Sequence, residues 1–453
     1  GIFYINNRQS AYLTGRHFPG SARSPPHYIK SIKERIEGMF SMAATHAYGK
    51  AAKDKIFGAS AAAKQAIARY GKDKVVDATI GTLLDDDENL VCLPTVEKVL
   101  RQLPTNEMVG YASIAGLPEY LEDVIETAFL DNKPEAYYKA IATAGGTGAI
   151  HHTIWNYSEI GDTVLTSDWC WGAYKVLADA LIRKFATFKL LNERQAFNFE
   201  DFSAKVKDLL NKQNSLVIIL NTPAHNPTGY TITNTEWDEI LDFLKDCVKN
   251  ETKKITLLVD VAYLDFAGDK VASRAFMRKF TNLPRNLLVV IAYSMSKGYT
   301  VYGQRTGAMI GISSDKDVIS EFVDINQYIC RATWSNINRG CMWALSTIYR
   351  NKELQAQVEA ERAHYYELIR NRANIFTGEA QAINLNMLPY SAGFFLSIPS
   401  SDPDAVCEKL HEDLIFAVPL AMGVRIAVCA VPTKKIPGIA AKVAKAIAAV
   451  EQG

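Results

Sequence analysis

Three short segments carry residue types that could do chemistry together. Ser294-Met295-Ser296-Lys297 follows the apolar run Leu287–Ala292 and precedes Gly303-Gln304-Arg305-Thr306-Gly307. A lysine beside two hydroxyls, after a buried strand, is not placed like a surface lysine. Lysine forms Schiff bases with carbonyl compounds, and burial lowers its pKa until it can act as a base. Arg305 offers a fixed fork of donors that suits a phosphate. Taken alone, the segment reads equally as a solvated lysine. Asp260 closes a second apolar run, Ile255–Val259, with Tyr263 three residues on. An acid at a buried strand end needs a partner. That partner is a cationic ring nitrogen of a cofactor, or else the acid is a helix N-cap or half of a salt bridge. The third segment is Thr143-Ala144-Gly145-Gly146-Thr147-Gly148-Ala149-Ile150. Its glycines let a backbone approach a ligand, and a helix beginning there presents free N–H groups to an anion. The letters match neither the dinucleotide fingerprint nor the P-loop. A tight turn without a ligand stays open.

The three are stronger jointly than singly. A phosphate cradle, an acid at a strand end and a lysine followed by an arginine are the parts that pyridoxal phosphate requires. Its phosphate must be held, its ring nitrogen kept protonated and its aldehyde bound.

Something must position these segments. Phe202, Val206, Leu209 and Leu210 share one helical face, and the short run Leu216–Leu220 that follows reads as a buried strand. Thr233-Asn234-Thr235-Glu236 is a capping box opening a helix with Trp237, Ile240, Leu241, Leu244 and Val248 inward. Ile255–Val259, Leu287–Ala292 and Ala308–Ile312 are further buried strands. Helices alternating with wholly apolar strands predict an α/β fold with a mostly parallel sheet covered on both faces. Ligands bind beyond the carboxyl ends of such strands. That rule selects Asn221–Gly229, Asp260–Tyr263 and Ser294–Lys297. A helical pattern from Asn338 to Ala382 predicts one long helix leaving the sheet, and the last seventy residues mix short strands and a helix in a second, smaller domain. Ile29, Ile32, Ile36 and Phe40 put one face on a helix over Tyr28–Phe40.

The chain resembles the class I pyridoxal-phosphate aminotransferases, in their aspartate/aromatic subgroup. Ala224-His225-Asn226-Pro227-Thr228-Gly229 is similar to the family's H-N-P-T-G loop, and Asp260-Val261-Ala262-Tyr263-Leu264-Asp265-Phe266-Ala267 to its D-x-A-Y-x-x-F-A segment. Ser294–Lys297 with Tyr302-Gly303-Gln304-Arg305-Thr306-Gly307 is similar to its S-x-[SA]-K…Y-G-x-R-x-G. Tyr111-Ala112-Ser113-Ile114-Ala115-Gly116-Leu117-Pro118-Glu119 resembles Y-x-x-I-x-G-x-P-E. The resemblance implies a fold-type I architecture: a large, mostly parallel sheet domain sandwiched by helices, plus a smaller α/β domain. The expected division is an N-terminal arm over 1–55, small-domain pieces at 56–90 and 383–453, the large domain over 91–340 and an interdomain helix over 341–382.

The resemblance also implies roles. Lys297 would form the Schiff base with the cofactor and move the proton. Asp260 would pair with the pyridine nitrogen, and Tyr263 and Asn226 would hydrogen-bond the ring's phenolic oxygen. Trp171, in Trp169-Cys170-Trp171-Gly172, would stack on the ring. Gly146, Thr147, Ser294, Ser296 and Arg305 would hold the phosphate, with Tyr111 reaching it from a neighbouring subunit of a homodimer. Arg425 would clamp the substrate α-carboxylate, and Gly81 would lie near the substrate. Arg331, in Cys330-Arg331-Ala332-Thr333-Trp334-Ser335-Asn336, follows Lys297 by 34 residues, as in the family, and would read the distal carboxylate of a dicarboxylate across the dimer. Departures gather at the substrate end: Thr333-Trp334 for Asn-Tyr, Thr82-Leu83 for Val-Tyr, Ile426-Ala427 for Val-Asn. Trp334 and Leu83 could suit an aromatic side chain or could be repacking. The implied activity is ping-pong transamination between an L-amino acid, aspartate or aromatic, and 2-oxoglutarate. A lyase or decarboxylase on the same cofactor, and an inactive cofactor-binding regulator, are the alternatives.

Bulk properties agree. The 453 residues are 48 % hydrophobic and 22 % charged, which excludes a largely disordered chain. Lys and Arg number 50 against 49 Asp and Glu, so the basic footprint of a nucleic-acid binder is missing. Seven cysteines without a C-x-x-C argue against a disulfide framework or a structural zinc site. Ile415–Pro432 is apolar but carries Pro419, Gly423 and a central Arg425, so two buried strands around a turn are expected rather than a membrane span. Residues 1–33 hold Arg8, Arg16, Arg23, Lys30 and Lys33 and no acid, so organellar targeting stands beside the expected cytoplasmic location. Asp85-Asp86-Asp87-Glu88 reads as a solvated loop, His151-His152 as packing on a helix, Cys330 and Cys341 as buried thiols, and no metal is expected.

Overall fold

The computed structural model describes residues 40–51 and 55–451. The chain divides into two units between residues 53 and 54, and every element named below lies in the second. The basic segment and, but for Phe40, the helix expected over Tyr28–Phe40 lie outside the described residues.

After a two-residue strand, β1 (Val76–Asp77), seven strands build one sheet: β2 (Tyr137–Thr143), β3 (Thr163–Ser167), β4 (Lys184–Phe188), β5 (Ser215–Asn221), β6 (Lys254–Asp260), β7 (Leu287–Ser294) and β8 (Gly307–Ser313). Their order is β2-β8-β7-β6-β5-β3-β4. Only β8 runs against its neighbours; the remaining contacts are parallel. Successive side chains of a strand point to opposite faces. Here Leu216, Ile218 and Leu220 join one core cluster and Val217 and Ile219 another. That two-sided burial is why β5 to β8 read as unbroken apolar runs.

The helices follow their patterns. Phe199–Lys212 buries Phe202, Val206, Leu209 and Leu210 and is capped by Asn198. Asn234–Cys247 carries the expected capping box at Thr233 and Glu236 and buries Trp237, Ile240, Leu241 and Leu244. The long helix expected from Asn338 is two helices, Arg339–Arg350 and Lys352–Ala382. Asn351 between them is extended, and its side chain accepts from the N–H groups of Glu353 and Leu354. Apolar periodicity registers faces and is blind to an asparagine that restarts a helix.

The remaining strands are β9 (Phe395–Pro399), β10 (Ile415–Phe416), β11 (Val418–Pro419) and β12 (Gly423–Ala427). The stretch Ile415–Pro432 thus holds three short strands rather than two, and two helices, Pro403–His411 and Ile439–Glu451, accompany them. β11, β12 and β9 form an antiparallel sheet, while β10 pairs in parallel with β1. Among the described residues no helix is long and apolar enough to cross a membrane.

The acidic run is not a simple solvated loop. Asp86 accepts from the fully buried Arg372 at 2.7 Å and from the backbone and hydroxyl of Thr433. Glu88 pairs with Lys435 at 2.8 Å. A buried guanidinium demands a counter-charge. The two partners are 286 residues apart, so local sequence gave no sign of it.

Candidate active site

The carboxyl ends of β2, β3, β5, β6 and β7 lie along one edge of the sheet, where β8 begins. Thr143, Gly307 and Ser294 are in register there, and so are Asn221, Asp260 and Ala292. Beyond this edge opens a cleft of about 370 Å³.

At one end, the helix Gly145–Tyr157 starts inside the glycine run. Gly145 has φ +66°, and a Cβ on it would lie 3.1 Å from a guanidinium nitrogen of Arg305. A Cβ on Gly307 would lie 2.4 Å from the Tyr293 carbonyl oxygen and 2.8 Å from the Gly145 backbone. Glycine is therefore required at both positions for the turn to reach the sheet edge. Arg305 extends to within 3.5 Å of both the Thr147 and Ser296 hydroxyls. Ser294 caps the short helix Met295–Gly298, which carries Lys297.

At the centre lies Asp260, buried at the end of β6. The Tyr174 hydroxyl donates to its Oδ2 at 2.5 Å, the Ala262 N–H to its Oδ1, and the Asn221 amide to its carbonyl. Burial raises the Asp260 pKa above the ordinary carboxylate value, against the hydrogen bonds from Tyr174 and Ala262 and the charge of Lys297. Burial brings Lys297 down to about 8, with Arg305 and Arg425 adding to that effect while Cys429 and Asp260 oppose it. Its Nζ lies 5.0 Å from the ring centre of Tyr302 and 5.8 Å from that of Tyr263. The Asn226 amide donates to the Tyr263 hydroxyl at 3.3 Å.

Arg425 sits in mid-β12, buried, donating to the Thr79 carbonyl at 2.9 Å and packed on the Phe395 ring at 4.4 Å. The strand supplies an apolar bed, which explains a cation inside an apolar run. The lining holds three bases, Lys297, Arg305 and Arg425, against one acid, Asp260, so the cleft suits an anionic ligand.

Of the residues expected from sequence, Gly81, Gly146, Thr147, Trp171, Asn226, Asp260, Tyr263, Ser294, Ser296, Lys297, Arg305 and Arg425 all line this cleft. Tyr111 and Arg331 do not; both are exposed, with Tyr111 89 % accessible and Arg331 donating to the Ser335 hydroxyl. The two departures suspected of shaping a substrate pocket lie elsewhere. Trp334 stacks on His152 at 4.2 Å, its ring against Gly148. Burial takes His152 to about 3, so the pair packs as neutral rings. Leu83 is fully buried in the core, its N–H donating to the Tyr302 hydroxyl. Both are repacking. Asn221, which the strand-end rule selected, lines the cleft too, and so do Tyr174, Ile80 and Phe395, which sequence reasoning missed. Tyr174 stands three residues beyond Trp171, on the helix Ala173–Ala180.

A family model for aminotransferases of class I and II matches residues 73–443. This chain belongs to the class I and II aminotransferases. The crystal structure of an aminotransferase from Anaerococcus prevotii superposes with a TM-score of 0.88 at 38 % identity, covering 90 % of this chain and 100 % of that one. The mitochondrial aspartate aminotransferase of Schizosaccharomyces pombe is 26 % identical over 293 residues, 62 % of this chain; the matched part spans 63 % of that enzyme's length. An aromatic-amino-acid aminotransferase from Burkholderia pseudomallei, covalently bound to pyridoxal phosphate in its crystal structure, shares the fold, with a TM-score of 0.72 at 23 % identity over 90 % of this chain and 100 % of that one.

Pyridoxal phosphate is the cofactor of this aminotransferase family. The cleft fits it by its own chemistry. The glycine turn, two serines, Thr147 and Arg305 concentrate donors at one end, a buried acid stands in the middle, and an amine of depressed pKa lies beside it. A doubly anionic phosphate, a basic ring nitrogen and an aldehyde are the complements of those groups.

Proposed function

We propose that this aminotransferase moves an amino group between an L-amino acid, aspartate or aromatic, and 2-oxoglutarate by a ping-pong mechanism, with Lys297 as the amine that takes the cofactor. The observation that carries the reading is the meeting of a depressed lysine, a buried acid and a buried arginine in one cleft. When bound, pyridoxal phosphate supplies an electron sink for the carbanion left at the substrate Cα.

The protein residues do the rest. Gly146, Thr147, Ser294, Ser296 and Arg305 hold the phosphate, and Trp171 covers the ring. Asp260 keeps the ring nitrogen charged; its raised pKa reflects a carboxylate in want of a cation, which that nitrogen provides. Asn226 and Tyr263 donate to the ring oxygen. Arg425 takes the α-carboxylate as a bidentate fork, with Gly81 near the substrate, and sets the Cα–H towards Lys297. Lys297, its pKa lowered by burial to about 8, gives up its own proton more readily than an exposed lysine and moves the proton from Cα. Tyr111 and Arg331 act in the site of a second copy, Tyr111 on the phosphate and Arg331 on the distal carboxylate. Their exposure away from the cleft of their own chain supports that reading.

Transfer is tested directly with ¹⁵N-labelled L-aspartate or L-phenylalanine and unlabelled 2-oxoglutarate. The label is expected in glutamate, and Arg425→Leu is expected to reduce the transfer rate by about 100-fold or more. Glutamate without the label would overturn the reading.

A further inference from the structure

Behind Lys297, on the side away from the cleft, lies an ion cluster without a part in the scheme above. Asp265 follows Tyr263 by two residues and is buried. Its Oδ1 accepts from Arg274 at 2.7 Å, and its Oδ2 faces Arg362 at 3.8 Å. Arg362 comes from the helix Lys352–Ala382; its Nε donates to the Gly298 carbonyl, and its guanidinium lies 4.4 Å from the centre of the Tyr299 ring. Gly298 has no positive φ to explain its glycine. A Cβ there would lie 1.9 Å from Asp265 Oδ2 and 2.9 Å from its carboxyl carbon. The residue after Lys297 is thus a glycine because a carboxylate occupies the space its side chain would take. Burial alone would raise the Asp265 pKa, but Arg362 and Arg274 overcome it and hold the group below its ordinary value, so the carboxyl is ionised.

We propose that Asp265 and Arg362 are positioning residues for Lys297. Asp265 ties the segment of Asp260 and Tyr263 to the segment of Lys297, and Arg362 clamps the Gly298 carbonyl from outside, so that Nζ is aimed at the cofactor's aldehyde. The inference rests on the assignment of Lys297 as the cofactor-bearing amine. In that step the neutral amine adds to the aldehyde carbon, its two protons leave with the aldehyde oxygen as water, and no electrons are transferred.

The test is the rate of covalent capture of saturating pyridoxal phosphate, followed by stopped-flow absorbance and located by borohydride reduction and peptide mass spectrometry. Gly298→Ala and Arg362→Leu are each expected to slow capture about 10- to 100-fold, the cost of roughly an ångström of misplacement. In a Lys297→Ala background the same substitutions should leave non-covalent cofactor affinity within about twofold, since the phosphate and ring contacts are elsewhere. Asp265→Ala should slow capture to a similar degree, because Arg274 and Arg362 lose the carboxylate between them, and Arg362→Lys should capture faster than Arg362→Leu. Capture at the wild-type rate in Gly298→Ala and Arg362→Leu overturns the proposal. So does an equal loss of affinity in the Lys297→Ala background, or capture at the wild-type rate in Asp265→Ala. Absence of label at Lys297 in the wild-type protein is a different outcome: it overturns the assignment of Lys297 itself.

Discussion

At the scale of single residues, burial sets proton affinity in the cleft. Lys297 is brought from 10.5 to about 8, with burial the largest cause. The unfolded chain therefore binds a proton that the folded chain releases between those values. Stability of the cofactor-free protein rises as pH climbs from about 8 to 10.5, and the whole penalty, roughly 3 kcal/mol, is present below 8. Lys297→Met is expected to stabilise the cofactor-free protein at pH 7 by up to that amount, with the gain shrinking towards pH 10.5. Urea unfolding at both pH values checks it; equal stabilities at pH 7 would contradict it. Lys297, Asp260, Arg305 and Arg425 were legible in the sequence because each is a charged group next to an apolar run, where water cannot solvate it. Tyr174 was not, because a tyrosine in a helix has many bland uses and its bond to Asp260 spans 86 residues. For Trp334 the sequence left substrate contact and packing open, because only the structure reveals His152 beneath its ring.

At the scale of elements, sheet and helices were legible wherever period and burial agree. β5 to β8 announce themselves as unbroken apolar runs, and the helix Asn234–Cys247 by its capping box. What stayed hidden were features set by distant partners: the break at Asn351, and the capture of Asp86 by Arg372 and Thr433. The second has a measurable consequence. Arg372 is fully buried, and Asp86 is its salt-bridge partner among the described residues, beside the carbonyls of Leu84 and Cys429. Asp86→Ala leaves that guanidinium short of a counter-charge and is expected to cost about 2 kcal/mol. Asp87→Ala, on the same loop, should cost under about 0.5 kcal/mol. Equal effects in denaturant unfolding would mean that the run is a solvated loop after all.

At the scale of the whole molecule, Tyr111 and Arg331 are the residues that a single chain leaves unused. Neither lines the cleft, and Met108, Val109 and Tyr111 expose apolar surface on one short segment. In the proposed homodimer Arg331 serves the partner's site. Subunits carrying Lys297→Ala and subunits carrying Arg331→Leu are then each impaired, whereas their mixture contains one site with both residues intact. Mixing after partial unfolding and refolding is expected to raise 2-oxoglutarate turnover well above either parent, in a species near twice the 50.2 kDa of the chain. No gain would place Arg331 outside the reaction or inside its own subunit's site.

A single turnover separates transfer through the cofactor from elimination or decarboxylation. Cofactor-loaded protein is mixed with excess L-aspartate or L-phenylalanine and no oxo acid, and the products are counted per site. Transamination yields one oxo acid per site, then arrest, with turnover resuming when 2-oxoglutarate is added. Continued release of carbon dioxide, ammonia or a keto product without any acceptor would contradict it.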